Sequence, residues 1–314
     1  MRCAARALRP TRCWRKRVFG NYTAIAAPAP LEPVLTLDAC YRHCGDIARR
    51  HSKSFFLCSR FLPPAKRRAV WAVYAFCRTA DDLADGAVAP DARLDALDAW
   101  EAQLRGAYAG RANDPIFVAF ADAAARYDVP LQAALDLLRG ARMDVTVDRY
   151  ATYDDLRGYC YLVASTVGVM VAPILGTLDD AAIHDAIALG HAMQITNILR
   201  DVGEDARMRR IYLPQDEMAR FGYTEADLFA GVVDERFAGL MQFQIDRARQ
   251  LYRDAEPGIA RLEPESRYAV RLALHLYRDI LAAIEANRYD VFTRRAFVPL
   301  PAKLVTAVAL SFRR

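Results

Sequence analysis

From Leu37 onward, apolar residues recur at intervals of three and four, with polar or Pro/Gly punctuation between the runs. That is the period of helices that bury one face. It predicts helices over 37–51, 64–86, 91–109, 114–127, 130–148, 153–175, 178–204, 225–257, 265–293 and 300–311. Pro63-Pro64 opens the second, because a proline in the first turn forfeits no internal hydrogen bond, and Asp91 is placed to cap the third. Residues 205–224 interrupt the period with a short β-like run ending at Pro214, the mark of a loop lying over the body of the domain. Asn-Gly hairpin signals and Gly-rich linkers are absent. The pattern predicts an all-α fold: one large helical bundle over 37–314, preceded by a separate, disordered segment 1–36.

Two of these helices change character along one face. Positions i, i+4, i+7 and i+11 share a helix face, so Tyr74, Arg78, Asp81 and Asp85 form one stripe of "WAVYAFCRTADDLAD". Ala186, Gly190, Gln194, Asn197, Asp201 and Asp205 form another in "DAIALGHAMQITNILRDVGED". A merely solvated face would be polar along its whole length. A graded one describes an apolar cavity with an acidic mouth. Tyr159, Val163, Val167 and Met170 form a third stripe suited to another wall, and Ala164, Ser165 and Gly168 would let helices approach closely.

Carboxylates brought together repel, and they need a cation to remain ionised. Asp and Asn oxygens suit a hard ion, Mg²⁺ before Mn²⁺, which takes few carboxylates and completes its octahedron with water and phosphate. A metal-bridged diphosphate is the ligand this pattern predicts. Arg78 and Arg200, beside the acids, either bind phosphate or offset the charge of the aspartates, and the sequence leaves both roles open.

Composition narrows the alternatives. The net charge of +5 is concentrated in residues 1–31, which hold six Arg and one Lys but no acid, Glu32 being the first carboxylate. Without them the chain is slightly acidic, so no basic face argues for nucleic acid. The leader is Arg-rich like a targeting segment but lacks the apolar run of a secretory signal; a disordered tail is the preferred reading and organelle targeting the alternative. Seven cysteines without a C-x-x-C pair fit a reducing compartment. A cytoplasmic location, or a peripheral one on the cytoplasmic face of a membrane, is expected. The apolar run 161–176 is short for a bilayer span and reads as a buried helix. His43, His51, His184, His191 and His275 lack zinc spacing, no E-x-x-H supports a di-iron bundle, and no P-loop or G-x-G-x-x-G supports a nucleotide site.

"HSKSFF" (51–56), "AVWAVYAFCRTADDLAD" (69–85), "YCYLVASTVGVM" (159–170) and "ITNILRDVGEDARMRRIYLPQDEM" (195–218) together resemble, in order and spacing, the phytoene and squalene synthase family. The resemblance starts near Leu37 and runs to the C-terminus. It implies an isoprenoid synthase fold around a central apolar cavity. It also implies head-to-head joining of two prenyl diphosphates through a cyclopropylcarbinyl diphosphate, the leading product being phytoene from two geranylgeranyl diphosphates. Squalene or dehydrosqualene synthesis from farnesyl diphosphate is the alternative, with NADPH needed only for squalene; a non-catalytic assembly protein is a remote third.

Matched position by position, the resemblance implies that Asp81, Asp85, Asn197, Asp201 and Asp205 hold metal, with Asp82 assisting. Ser52, Ser54, Tyr74, Arg78, Gln194, Arg200, Tyr277 and Arg294 would meet diphosphate or the allylic carbons. Tyr159, Val163, Val167, Ala186 and Gly190 would line the prenyl cavity, the last two leaving room for a long chain, and 205–224 would be the closing flap. Met208-Arg209-Arg210 departs from the family's usual Arg-Gly before the Arg-aromatic step, which implies a stiffer flap. Lipid substrates point to a membrane surface. The candidate contact is 299–314, an apolar helix flanked by Lys303, Arg313 and Arg314, with packing onto the core as the competing expectation. Oligomeric state is not legible.

Overall fold

A computed structural model of the chain describes residues 35–312. The leader 1–36 lies outside the described residues except for its last two, as do Arg313 and Arg314. In chain order the helices are α1 (Leu37–His51), α2 (Lys53–Ser59), α3 (Pro64–Ala84), α4 (Pro90–Tyr108), α5 (Pro115–Tyr127), α6 (Leu131–Thr146) and α7 (Tyr153–Cys160). A π turn, Tyr161–Ser165, leads into α8 (Thr166–Leu175), then α9 (Ala181–Arg207), α10 (Gln215–Arg220), α11 (Glu225–Phe229), α12 (Glu235–Ala255), α13 (Pro264–Ala286) and α14 (Leu300–Ser311). Among the described residues there is no strand, only the isolated bridges Arg149 to Ile211 and Thr177 to Leu262.

Helix boundaries follow local chemistry. Pro63 and Pro64 open α3, and Thr36 caps α1 by accepting from the Ala39 N–H at 3.3 Å. Asp91 does not cap α4: Pro90 occupies its first position, Ala89 is the cap residue, and Asp91 stands inside the first turn. The helix predicted over 225–257 is two. Gly231 turns with φ 66°, and Asp234 then caps α12 through the Arg236 and Phe237 N–H groups, at 3.0 and 3.1 Å. The helix predicted over 265–293 ends at Ala286, because Arg288 and Tyr289 adopt left-handed φ of 55° and 63°. The run 153–175 is interrupted by the π turn, whose extra residue shifts the phase of the helix face. It is long and apolar enough by composition to cross a bilayer, yet it packs within the bundle, against α6 and α9.

Among the described residues the core has two large clusters and a small third one under α14. One cluster joins α1, α3, α4, α5, α6 and α8 around Phe76, Trp100, Phe117 and Phe120. Truncating any one of these aromatics to Ala would cost about 3–5 kcal/mol. The other joins α9, α12, α13 and the segment 211–223 around Phe237, Tyr252 and Tyr223. Between them, Tyr74 on α3, Val163 in the π turn, Val167 and Val171 on α8, Met193 on α9 and Val270, Ala273 and Tyr277 on α13 are only half-buried. Apolar side chains at helical spacing, deep in a bundle yet reachable by solvent, outline a cleft between the two cores.

Candidate active site

The first stripe ends at the C-terminus of α3. Asp85 is the cap residue of that helix, its N–H donating to the Asp81 carbonyl at 2.9 Å. The second ends in the last two turns of α9. A helix C-terminus carries partial negative charge, so both sets of carboxylates stand where the backbone disfavours them. That field, together with the mutual repulsion of the acids, would favour a cation near them, and the oxygen donors suit a hard one.

The charges there are uneven. Asp81 keeps an accessible carboxylate but is closely surrounded by protein, as a group at the base of a cleft is. Burial, with Asp144, Asp85 and Asp82 nearby and only Arg78 opposing, pushes it up to about 7. Asp205 is also pushed up to about 7, by burial and then by Asp201, Glu204 and Asp144, against Arg210. For Asp201, burial works upward but is outweighed: Arg200 grips it with two bonds of 2.9 and 2.5 Å and Arg295 adds a third at 3.0 Å, which holds it below the usual carboxylate range. Asp82 faces Arg78 in a salt bridge, and Asp85 accepts from Arg210 at 2.8 Å. Among the described residues no three of His, Cys, Asp or Glu converge on a single point.

Around these acids the remaining candidates fall into place unequally. Tyr74 stacks on Phe55 at 4.6 Å and neighbours Ser52, Arg78, Asp81 and Tyr277. Tyr277 in turn lies near Arg200 and Asp201, so α3 and α13 meet α9 at the acids. Ser52 caps α2 by accepting from the Phe55 N–H at 3.3 Å, and Ser54 accepts from Lys303 of α14 at 2.7 Å. Asn197 donates to Gln194 at 3.4 Å, both half-buried.

Four candidates are placed elsewhere. Tyr159 is 3% exposed and sits behind the wall with its hydroxyl on Asp144, because the π turn rotates the face carrying Val163 and Val167 away from it. Gly190 does not face open space: a Cβ there would stand 2.7 Å from the Ala164 carbonyl oxygen, and one on Gly168 would stand 2.6 Å from that of Ala186. Both glycines, and Ala186 with them, belong to a close crossing of α9 with the π turn and α8. Arg294 is exposed on the segment after α13, and its neighbour Arg295 is the one that reaches Asp201.

Asp144, Arg210, Tyr212 and Arg295 escaped the sequence reading. A signal for Asp144 existed: it follows the buried Leu137 and Ala141 on one face of α6, the same grading from apolar to acid as in the two stripes. Burial raises Asp144 to about 6 despite hydrogen bonds from Tyr159 and Tyr212, so it adds to the local charge surplus.

The squalene/phytoene synthase family model matches residues 48–302. The 15-cis-phytoene synthase of Synechococcus elongatus is 46% identical over 287 residues, 88% of this chain and 93% of that protein. The phytoene synthase of Arthrospira platensis is 47% identical over 292 residues, covering 89% and 94%. Among solved structures, a dehydrosqualene synthase in complex with ligand superposes with a TM-score of 0.83 at 33% identity, over 88% of this chain and 97% of the other. A squalene synthase from Alicyclobacillus acidocaldarius gives 0.75 at 33% identity, over 81% and 95%.

Proposed function

The chain belongs to the squalene/phytoene synthase family, and we propose that it is a Mg²⁺-dependent prenyltransferase that condenses two geranylgeranyl diphosphates head to head into phytoene. The observation that carries this reading is the pair of acid-bearing helix ends set at an apolar cleft, in a chain so similar to phytoene synthases. Asp81, Asp85, Asp201, Asp205 and Asn197 would hold the ion, all through oxygen. When bound, Mg²⁺ neutralises charge on the departing diphosphate.

The chain's own residues do the rest. Arg78 and Arg200, now committed to Asp82 and Asp201, can share their guanidinium N–H groups with diphosphate oxygens once the acids bind a cation. As diphosphate leaves, an allylic cation remains that water would capture. Val163, Val167, Val171 and Val270 offer it no nucleophile, and the stacked Tyr74 and Phe55 rings offer a π face to positive charge. That cation adds to the double bond of the second substrate, and loss of a proton closes the ring of a cyclopropylcarbinyl diphosphate. Loss of its diphosphate, rearrangement and loss of a proton then give the triene without an external reductant.

Incubating the purified chain with Mg²⁺ and either geranylgeranyl or farnesyl diphosphate, then weighing the hydrocarbon, tests the reading. A C40 triene is expected. A C30 product would replace it with dehydrosqualene or squalene synthesis, and no turnover with either substrate would leave only the assembly-protein alternative.

The substrate is lipidic, and α14 supports a peripheral membrane location on the cytoplasmic face. Its Ala307 and Leu310 are buried against α13 and α2, while Leu300, Leu304, Val305 and Val308 are 50–68% exposed. No acid interrupts residues 291–314, which hold Arg294, Arg295, Lys303, Arg313 and Arg314. Leu304→Asp with Val308→Asp should abolish flotation with anionic vesicles; retained flotation would remove α14 from the contact.

A further inference from the structure

Asp144 lies outside both aspartate motifs yet binds residues from two further segments. Its Oδ1 accepts two phenolic O–H bonds, from Tyr159 at 2.7 Å and from Tyr212 at 2.9 Å. Tyr159 lies near the end of α7, two residues before the π turn, and Tyr212 lies on the flap, so one carboxylate oxygen on α6 fastens both. The phenols are 3% and 8% exposed. Burial, reinforced by Asp144, keeps both protonated and therefore able to donate. Their rings stack at 5.3 Å, with Tyr150 against them at 5.2 and 5.8 Å.

Two residues before Tyr212, Arg210 donates to Asp85, and its charge also acts on Asp205. The flap backbone is pinned on either side: the Ile211 N–H donates to the Asp148 carbonyl and the Gln215 N–H to the Tyr150 carbonyl, each at 3.0 Å. The void lined by Asp205, Arg210 and Tyr212 measures about 10 Å³, room for no more than one water.

We infer that Asp144 is a positioning residue: by holding Tyr212 it seats the flap and so delivers Arg210 to the aspartates of both helix ends. The inference rests on those ends being the reacting centre, but its test does not depend on turnover. Hydrogen exchange over 208–216 in the full chain reads the seating directly. Asp144→Ala removes both phenol bonds and should speed exchange there about 10- to 100-fold, the worth of the flap-side hydrogen bond to a charged group. Asp144→Asn keeps an oxygen acceptor and should restore most of the protection. Tyr212→Phe removes only the flap-side bond and should give a similar rise, confined to the same segment.

On turnover, kcat/KM should fall by a similar factor in the Ala variant, and adding Tyr212→Phe to it should cost nothing further. Wild-type exchange in Asp144→Ala overturns the inference even if turnover falls, and so do fully additive losses in the double variant. Should Asp144→Ala not fold, unchanged exchange in Tyr212→Phe overturns it instead. A wild-type chain without turnover would defeat the proposed function and leave the exchange result standing.

Discussion

The ends of α3 and α9 carry the same D-x-x-x-D spacing in different surroundings. At α3 the acids occupy the last turn, all three are exposed, and Asp85 already stands beyond the helix as its cap. At α9 the helix continues past Asp205 to Arg207, and Asp201 and Asp205 are half-buried. Asp201 has two arginines on its oxygens, whereas Arg78, the cation that acts on Asp81, is turned to Asp82. The result is opposite protonation behaviour: Asp81 is raised to about 7 and Asp201 is lowered. Equal spacing thus produces one carboxylate already ionised and held, and another that becomes reliably ionised only when a cation joins it.

The largest effect should come from neutralising either end. Asp81→Asn and Asp201→Asn should each lower kcat by about 1000-fold or more, since each removes a ligand for the charge that offsets the leaving diphosphate. The two should nevertheless part company in stability. Asp201→Asn removes the carboxylate gripped by Arg200 and Arg295, leaving them the more distant Glu204, and should lower Tm, whereas Asp81→Asn relieves repulsion and should leave Tm unchanged or raise it in metal-free protein. Equal Tm shifts would erase the contrast between the ends.

Next in size is the coupling of pH to metal. A carboxyl raised in the folded state favours folding while it is protonated; that contribution is full below about pH 4 and is lost as pH rises through the folded value. For Asp81 and Asp205 that value is about 7. Metal-free protein should therefore lose thermal stability between about pH 5 and about pH 8. Asp201 contributes with the opposite sign, its share disappearing as pH falls below about 4. Mg²⁺ should raise Tm more at the upper pH, and EDTA should abolish turnover until Mg²⁺ is restored. A Tm gain from Mg²⁺ that does not depend on pH would show that Asp81 and Asp205 are not the groups the ion discharges.

The smallest effect separates neighbours. Arg295→Ala removes one of three bonds on Asp201 and should reduce kcat/KM by about 10-fold, in the range of one charge-assisted hydrogen bond. Arg294→Ala, on the exposed side of the same segment, should change it by less than about twofold. Equal losses would move Arg294 into the site.

The graded stripes were legible because they lie on long, regular helices where counting by 3.6 is reliable. What escaped was set by irregular backbone or by tertiary approach. The segment after Ala286 has no period, since Arg288 and Tyr289 are left-handed, so nothing in the pattern singles out Arg295 rather than Arg294 as the partner of Asp201. The π turn displaced Tyr159 from a stripe that assumed regular phase. Asp144 gains its meaning from hydroxyls 15 and 68 residues away, a relation no local window contains. Gly231 and Asp234, which split 225–257, were ordinary breaker and cap signals obscured by apolar residues at helical spacing on both sides.

Gly168 and Gly190 interlock with the backbones opposite them, and the Ser165 hydroxyl donates to the Ile187 carbonyl at 2.8 Å in the same crossing. Neither α8 nor α9 can yield there without driving the other, so together they act as a fixed datum for the cleft. Adapting this scaffold to a longer or shorter prenyl chain is therefore a problem for the facing surface, where the half-buried Val270 and Ala273 can change in bulk one residue at a time.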